Sequence, residues 1–212
     1  MRLRNKKNAH NVVNESDYII NNPKEQKGNW KNIFDNNNDI HIEIGMGKGN
    51  FITQMAINNP NINYVGIEMY DSVIVTAVKN LAEREEKIHN LKLIRMDATN
   101  IEEVFEKEIS RIYLNFSDPW PKAKHAKRRL TSKEFLTRYD NIFKSNKVII
   151  QKTDNNDLFE FSMESLIEHG YVLKNVTRDL YNNMIEGNVA TEYETKFSQQ
   201  GIKINRLEAY KD

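Results

Sequence analysis

The sequence contains no cysteine among its 212 residues. Disulfide bonds, thiolate metal sites and iron–sulfur clusters are therefore excluded. Catalysis through a cysteine nucleophile is excluded as well. Radical group transfer at a cysteine-held cluster and attack through a cysteine adduct are thus unavailable to this chain.

Long apolar runs are also missing, although roughly 20 residues are needed to span a bilayer. The longest run, Val73–Val78, is interrupted by Thr76. The N-terminal stretch MRLRNKKNAHN is basic but has no apolar segment, so it does not match a secretory signal. We therefore expect a cytoplasmic protein with no membrane partner.

The chain has little net charge, only +1 at pH 7. Any basic surface for nucleic acid must therefore be local. The length fits a single α/β domain with a short extension. We place a basic, irregular extension at residues 1–38 and one domain at residues 39–212.

From Asp39 onward, strand-like and helical patterns alternate along the chain. The strand-like segments are DIHIEIG, NYVGIE, LKLIRMD, RIYLNF, KVIIQKT, YVLKNVTRDL and IKINRLEAY. Helical spacing is predicted over Asn50–Asn58, Asp71–Lys87, Thr99–Glu108, Thr131–Lys144 (which opens with a capping-box pattern) and Leu158–His169. This alternation predicts a parallel sheet with helices on both faces. The last two strand-like segments have no predicted helix between them, which favours an antiparallel pair at the edge.

The first strand leads into a glycine loop, G-x-G-x-G, formed by Gly45, Gly47 and Gly49. The loop matches neither the dinucleotide fingerprint nor a phosphate loop. An acidic residue stands at or just after the end of each of the first four strands. These residues are Glu43, Glu68, Asp97 and Asp118.

The carboxyl ends of parallel strands meet at one edge of a sheet, where ligands of open α/β folds bind. Acidic side chains at that edge repel phosphates. They suit the hydroxyl groups of an adenosine, its amino group and a sulfonium cation. The pattern therefore favours S-adenosylmethionine over NAD or ATP as the ligand, with Glu43, Gly45, Gly47, Glu68 and Asp97 as binding residues.

A second motif, N-F-S-D-P-W-P, contains Asp118 between residues of restricted backbone. Trp120 within it either stacks on a base or fills the core. A basic run follows, and we interpret it as a phosphate-contacting segment. Its members are Lys122, Lys124, His125, Lys127, Arg128 and Arg129. The N-terminal Arg2, Arg4, Lys6 and Lys7 are candidates for a second phosphate contact.

Two later segments offer carboxylates that can accept hydrogen bonds from guanine N1–H and its amino group. They are Asp154, after the fifth strand, and the stretch Thr191, Glu192, Tyr193 and Glu194. Each segment taken alone also fits a structural role. The five histidines form no ligand-spaced pair, so no metal site is predicted.

With these motifs the sequence resembles the bacterial tRNA (guanine-N7)-methyltransferase family over nearly its whole length. The resemblance lies in MRLRNK, IHIEIGMGKG, YVGIE, RIYLNFSDPWPKAKHAKRRL, KTDNNDLFE and EGNVATEYETKF. It implies an α/β, Rossmann-like, seven-stranded S-adenosylmethionine-dependent methyltransferase fold with an antiparallel edge strand. The implied reaction moves the methyl group to N7 of a tRNA guanine, usually in the variable loop, and leaves S-adenosylhomocysteine.

The resemblance also implies roles for single residues. Glu43, Glu68, Asp97 and Asp118 would contact the methyl donor, and Asp118 would be the catalytic residue. Lys122, Asp154 and Thr191–Glu194 would contact tRNA, and Lys124–Arg129 would lie along the RNA. The implied partner is tRNA, bound by a monomer or a homodimer.

Two other functions stay open on the residues alone. One is a methyltransferase of the same fold that acts on an exocyclic base amine or a protein side chain, because N-F-S-D-P-W-P resembles the Asn/Asp-Pro-Pro-aromatic loop of amine methylators. The other is an RNA-binding module that has lost its donor. The four acidic residues argue against the second, and the basic run favours RNA over protein.

Overall fold

All seven predicted strands form, and they lie in a single sheet. In the computed structural model, which describes residues 16–212, the strands are β1 (Ile40–Ile44), β2 (Asn63–Glu68), β3 (Leu91–Arg95), β4 (Ile109–Asn115), β5 (Phe143–Thr153), β6 (Val172–Thr177) and β7 (Asn205–Lys211). The order across the sheet is β3-β2-β1-β4-β5-β7-β6. Strand β7 is antiparallel to both of its neighbours, whereas β1 to β5 pair in parallel. The predicted reversed strand is therefore β7, inserted between β5 and β6.

Helices cover both faces of this sheet. The α-helices are α1 (Trp30–Phe34), α2 (Asn50–Asn58), α3 (Asp71–Ala82), α4 (Lys133–Ile142), α5 (Asn156–Glu168) and α6 (Glu192–Gln199), and 3-10 helices span Pro23–Gln26, Ala98–Glu103 and Ala123–Arg128. Alternate residues of β2 face opposite sides: Val65 and Ile67 join one apolar cluster with α1, α4 and α5, while Tyr64 joins another with α2 and α3. Within residues 16–212, no helix is long and apolar enough to cross a membrane.

Several helix boundaries differ from the predicted ones. The helix predicted over Asp71–Lys87 ends at Ala82, because the charged residues after it offer nothing to the core. The helix predicted from Thr131 begins at Lys133, since Ser132 is the capping residue and accepts from the Phe135 amide. The Thr131 hydroxyl instead pairs with that of Ser162.

Two further segments differ in type or start. The segment predicted as the helix Thr99–Glu108 forms the shorter 3-10 helix Ala98–Glu103, capped by Asp97. The helix predicted from Leu158 begins two residues earlier, at Asn156. The Asn155 side chain caps it by accepting from the Leu158 amide.

The prediction that no helix separates the last two strands is wrong. Helix α6 lies between β6 and β7 and opens with a capping box. The Thr191 hydroxyl accepts from the Glu194 amide, and the Glu194 carboxylate accepts from the Thr191 amide. The segment Thr191–Glu194 is thus a helix start with a defined geometry.

The described part of the predicted extension, residues 16–38, packs on the core. Trp30 is fully buried, its ring centroid lies 4.9 Å from that of Phe105, and its indole N–H donates to the Val104 carbonyl at 2.9 Å. The Glu108 carboxylate accepts from the amides of Gly28 and Trp30. The basic residues Arg2, Arg4, Lys6 and Lys7 lie outside the described residues.

Candidate active site

A cleft of about 1200 Å³ opens at the carboxyl ends of β1 to β4. Its lining includes all four acidic residues predicted from the strand ends, namely Glu43, Glu68, Asp97 and Asp118. Small-molecule sites usually measure roughly 300–1,000 Å³. The cleft is therefore large enough to take a small organic ligand together with part of a second reactant.

The glycine loop forms one wall of the cleft and connects β1 to α2. Gly45 and Gly47 have φ values of 76° and 58°, which side chains other than glycine rarely adopt. A side chain at either position would meet nothing within 4 Å, so both face open space. The Gly47 amide donates to a Glu68 carboxylate oxygen at 3.2 Å, which ties the loop to the end of β2.

Glu43 is only 2% exposed and lies at the floor of the cleft. The Asn115 amide group donates to its Oε1 at 2.9 Å, while its Oε2 has no partner among the described residues. Burial raises the pKa of Glu43 to about 8, although the bond from Asn115 and the charge of Lys152 oppose the rise. Burial thus favours the neutral carboxyl group in the free protein, whereas a bound cation would favour its ionised form.

Glu68 is held rigidly by backbone groups. Its Oε1 accepts from the amides of Met69 and Tyr70 at 2.9 and 3.0 Å. Burial raises the pKa of Glu68, and the charge of Asp118 adds to the rise. With three backbone donors already bound, this carboxylate retains room for a further hydrogen bond from a ligand.

Asp97 and Asp118 are exposed to solvent, in contrast to Glu43 and Glu68. Asp97 caps the 3-10 helix that follows β3, and its Oδ1 accepts from the amide and hydroxyl of Thr99 at 2.9 and 2.8 Å. Asp118 exchanges no hydrogen bond with any of residues 16–212. Its carboxylate is therefore available for a ligand.

The backbone is strained on either side of Asp118. Phe116 and Trp120 have φ values of 52° and 42°, a region that is unfavourable for bulky side chains. The Arg129 side chain donates to the carbonyls of Pro119 and Trp120 at 3.1 and 3.0 Å and fixes the loop. Strain of this kind persists where the surrounding structure holds a functional geometry.

The basic run divides between the cleft and the surface beside it. Lys127 and Arg128 line the cleft, and the Arg128 guanidinium lies 4.9 Å from the centre of the Trp120 ring. Lys122, Lys124 and His125 do not line it, and Arg129 is occupied by the bonds that fix the Asp118 loop.

The start of α6 closes the opposite side of the cleft. Thr191, Glu192 and Tyr193 line it, whereas Asp154 is exposed elsewhere. Glu192 forms an ion pair with Lys48 at 2.9 Å and a hydrogen bond with Asn50, both next to the glycine loop.

Glu194 points inward, away from the cleft, where Lys152 donates to its Oε2 at 2.7 Å and Asn188 to its Oε1 at 2.8 Å. Both Lys152 and Glu194 are buried. A direct contact between Glu194 and a substrate would require these internal bonds to break.

Sequence reasoning missed several residues in and around the site, among them Asn115, Lys48 and Lys152. Asn115 stands at the end of β4, and this position could have marked it as a further member of the series of strand-end residues. Lys48 and Lys152 act through partners more than 40 positions away in the sequence, 144 and 42 respectively, so no local pattern marks them. Within the described part of the chain, no group of three or more metal-binding side chains converges.

Comparison with known proteins gives a consistent picture. A family model described as a putative methyltransferase matches residues 37–207. The tRNA (guanine-N(7)-)-methyltransferase of Lachnoclostridium phytofermentans is 50% identical over 214 residues, covering 100% of this chain and 99% of the relative. The protein of the same name from Lysinibacillus sphaericus is 52% identical, covering 99% and 97%.

Solved structures resemble the fold at lower identity. An antibiotic-related methyltransferase superposes with a TM-score of 0.64 at 18% identity, covering 89% of this chain and 93% of that one. The 16S rRNA methyltransferase KamB gives a TM-score of 0.64 at 12% identity, covering 86% and 92%. At these identities the likeness extends to the fold alone.

Proposed function

Because the chain belongs to the tRNA (guanine-N7)-methyltransferase family, we propose that the acidic cleft holds the methyl donor beside a basic rim that receives tRNA. The chain transfers a methyl group from S-adenosylmethionine to N7 of a guanine in tRNA. We further propose that the guanine lies in the tRNA variable loop. Because the substrate is tRNA, we place the reaction in the cytoplasm.

The observation that carries the donor site is the convergence of Glu43, Glu68, Asp97 and Asp118 on one cleft. Negative charge at this edge disfavours phosphate-bearing cofactors, and the four carboxyl groups suit the hydroxyls, amine and sulfonium of the donor. The unpartnered Oε2 of Glu43 supports this fit, because a buried polar atom without a hydrogen-bond partner is costly unless a ligand satisfies it. Gly45 and Gly47 leave open space for the ligand to approach the backbone.

Guanine N7 carries a lone pair and no proton, so the reaction needs no general base. The donor supplies an activated methyl group, and the protein has to align N7 with it and stabilise the positive charge that moves onto the purine. Alignment alone can lower such a barrier by roughly 7–11 kcal/mol. We assign the electrostatic part to Asp118, whose unpaired carboxylate would bind the base edge and face the growing charge.

We propose that tRNA lies along the basic run. Lys127 and Arg128 would contact phosphates at the mouth of the cleft, with Lys122, Lys124 and His125 continuing the track outside it. Thr191, Glu192 and Tyr193 would face the base from the other side. Glu194 would act by holding this helix start in place, and Asp154 would contact RNA outside the cleft. We propose that the active form is a monomer or a homodimer.

Nucleoside mass spectrometry tests the proposal directly. Unmodified tRNA is incubated with the protein and S-adenosylmethionine. One portion is digested to nucleosides to identify the methylated base, and another is cut into sequence-mapped fragments to locate it. A reaction that lacks the donor serves as the control. We expect 7-methylguanosine at one guanine of the variable loop. Another methylated nucleoside, or 7-methylguanosine elsewhere in the tRNA, would contradict the proposed substrate or target.

Changing both Lys127 and Arg128 to alanine is expected to weaken tRNA binding and to flatten its dependence on salt. Each lost phosphate contact lowers the slope of log affinity against log salt by roughly 0.7–0.9, so the pair should lower it by about 1–2. The measurement is a filter-binding or anisotropy titration at several salt concentrations.

The matched control for this pair is Lys31→Ala with Lys79→Ala, two exposed lysines that do not line the cleft. Since Arg128 also packs on Trp120, Lys127→Ala is measured alone as well. If the slope of the Lys127 and Arg128 double variant equals that of the control, these residues do not contact phosphate.

A further inference from the structure

Three aromatic rings form a cluster beside the Asp118 loop. The ring centroids of Phe116 and Tyr193 lie 5.8 Å apart, with their planes inclined by 30°. Phe197 completes the cluster at 5.9 Å from each of the other two. The cluster joins the end of β4 to helix α6, which are distant in sequence.

Two of these rings face the cleft and the third does not. Phe116 and Tyr193 line the cleft, whereas Phe197 lies outside it. Tyr193 is 56% exposed although it stacks on the Phe116 ring. Phe116 stands two residues before Asp118, in the strained backbone described above. An exposed aromatic surface is therefore held next to the carboxylate assigned to catalysis.

Independent contacts fix the position of Tyr193. Its neighbour Glu192 is bonded to Lys48 and Asn50 at the glycine loop. The capping box of Thr191 and Glu194 sets the start of α6. These contacts hold the backbone that carries the Tyr193 ring next to the glycine loop.

Trp120, another aromatic ring of the cleft, offers less open surface than Tyr193. The Arg128 guanidinium lies over its face at 4.9 Å, and the His125 ring meets it at 5.7 Å with an interplanar angle of 89°. Among residues 16–212, no cation lies over the ring of Tyr193. The Phe116–Tyr193 pair is thus a better platform for a planar ligand than Trp120.

We propose that the Phe116–Tyr193 pair is the platform on which the target guanine stacks after it leaves the base stack of the tRNA. The inference deepens the proposed function and rests on it. Enzymes that act on a base inside folded nucleic acid commonly extrude it into a pocket, where aromatic side chains stack on it. Stacking of this kind is tolerant of geometry and strong enough to hold one base.

The platform also suits the charge change of the reaction. The N7 lone pair forms the new bond to the methyl carbon as the bond from carbon to sulfur breaks, and that electron pair returns to sulfur. No proton moves, and the purine becomes a cation. The electron-rich face of Tyr193 attracts a cation above it, so the ring favours the methylated product state of the base as well as its binding.

Tyr193→Leu tests the platform by removing the ring and keeping an apolar side chain. We expect kcat/KM for tRNA to fall roughly 5- to 150-fold, the effect of one lost base–aromatic stack. The dissociation constant for S-adenosylhomocysteine, measured by calorimetry, is expected to stay within about twofold because the donor site is intact. Tyr193→Phe keeps the ring and is expected to restore most of the lost efficiency.

Phe197→Leu is the matched control, because it removes a ring from the same cluster on the side away from the cleft. It is expected to retain kcat/KM near that of the parent chain. A loss in Phe197→Leu equal to that in Tyr193→Leu, or no loss in Tyr193→Leu, or no recovery in Tyr193→Phe, overturns the platform. If the parent chain itself made no 7-methylguanosine, the proposed function would fail instead, and the two failures are therefore distinguishable.

A spectroscopic measurement checks the stack itself. The mapped target guanine is replaced by 2-aminopurine, whose fluorescence is quenched when it stacks. With the parent chain and Tyr193→Phe the bound base is expected to stay quenched, and with Tyr193→Leu it is expected to brighten. Equal fluorescence with all three proteins overturns the proposal.

Discussion

Asp118→Ala is expected to abolish methyl transfer while the protein folds as the parent chain does. Removing one preorganised electrostatic group from an active site commonly lowers kcat by about 100- to 1000-fold. The side chain is exposed and bonds to none of residues 16–212, so its loss leaves no buried group unpaired. The effect should appear in single-turnover kinetics with saturating tRNA and donor.

Two comparisons isolate the role of the Asp118 charge. Asp118→Asn keeps the shape and one acceptor but removes the charge, and it should also be severely impaired. Asp157→Ala removes an exposed acid from the first turn of α5, outside the cleft, and should behave like the parent chain. A kcat for Asp118→Ala within tenfold of the parent value would rule out the catalytic role.

Lys152→Met is expected to lower the free energy of unfolding by about 3–5 kcal/mol, because it leaves the buried Glu194 without its cation. Lys152 and Glu194 are 3% and 1% exposed and bond at 2.7 Å. Burial lowers the pKa of Lys152, and the charge of Glu194 opposes that change. Since Glu194 also caps α6, the variant should displace Glu192 and Tyr193 and thereby lower the rate of methyl transfer.

Denaturant unfolding of a double-mutant cycle measures this pair. Glu194→Gln alone should also destabilise, and Lys152→Met with Glu194→Gln should recover part of the loss, because no uncompensated charge then remains in the interior. Lys24→Met, which removes one side of the exposed pair with Glu103, should change stability little. A loss below about 1 kcal/mol in Lys152→Met would show that the pair contributes no more than a surface contact.

The acidic cleft could be predicted from the sequence because its geometry follows from two simple facts. Strand periodicity locates the ends of β1 to β4, and parallel strands bring those ends to one edge. Glu43, Glu68, Asp97 and Asp118 therefore had to meet once the strand order was right. The glycine loop could be predicted for the same reason, since it directly follows β1.

Helix α6 was missed although its signal was present. Thr191 and Glu194 have the spacing of a capping box, but the polar residues around them hide the apolar periodicity that marks a helix. The pairing of Glu194 with Lys152 has no local signal at all. Its partners come from different elements and are brought together only by the tertiary fold.

The strained backbone at Phe116 and Trp120 also lies beyond sequence reasoning. Bulky side chains rarely adopt positive φ, so propensity argues against the observed conformation at both positions. The conformation persists because contacts from elsewhere in the chain, such as those of Arg129, hold the loop. Trp30 is a similar case, since its burial depends on the ring of Phe105 and not on its own short helix.

The placement of β7 has a consequence for how the sheet assembles. In the described residues β6 pairs only with β7. Strand β6 can therefore join the sheet only after β7, Asn205–Lys211, has docked against β5. Such long-range pairing is slow compared with local helix formation. Until it occurs, β5 presents the bare hydrogen-bonding groups of an apolar strand, the arrangement through which partly folded chains aggregate. Substitutions that weaken β7 should therefore reduce the yield of folded protein during expression more than they reduce the activity of the molecules that complete the sheet.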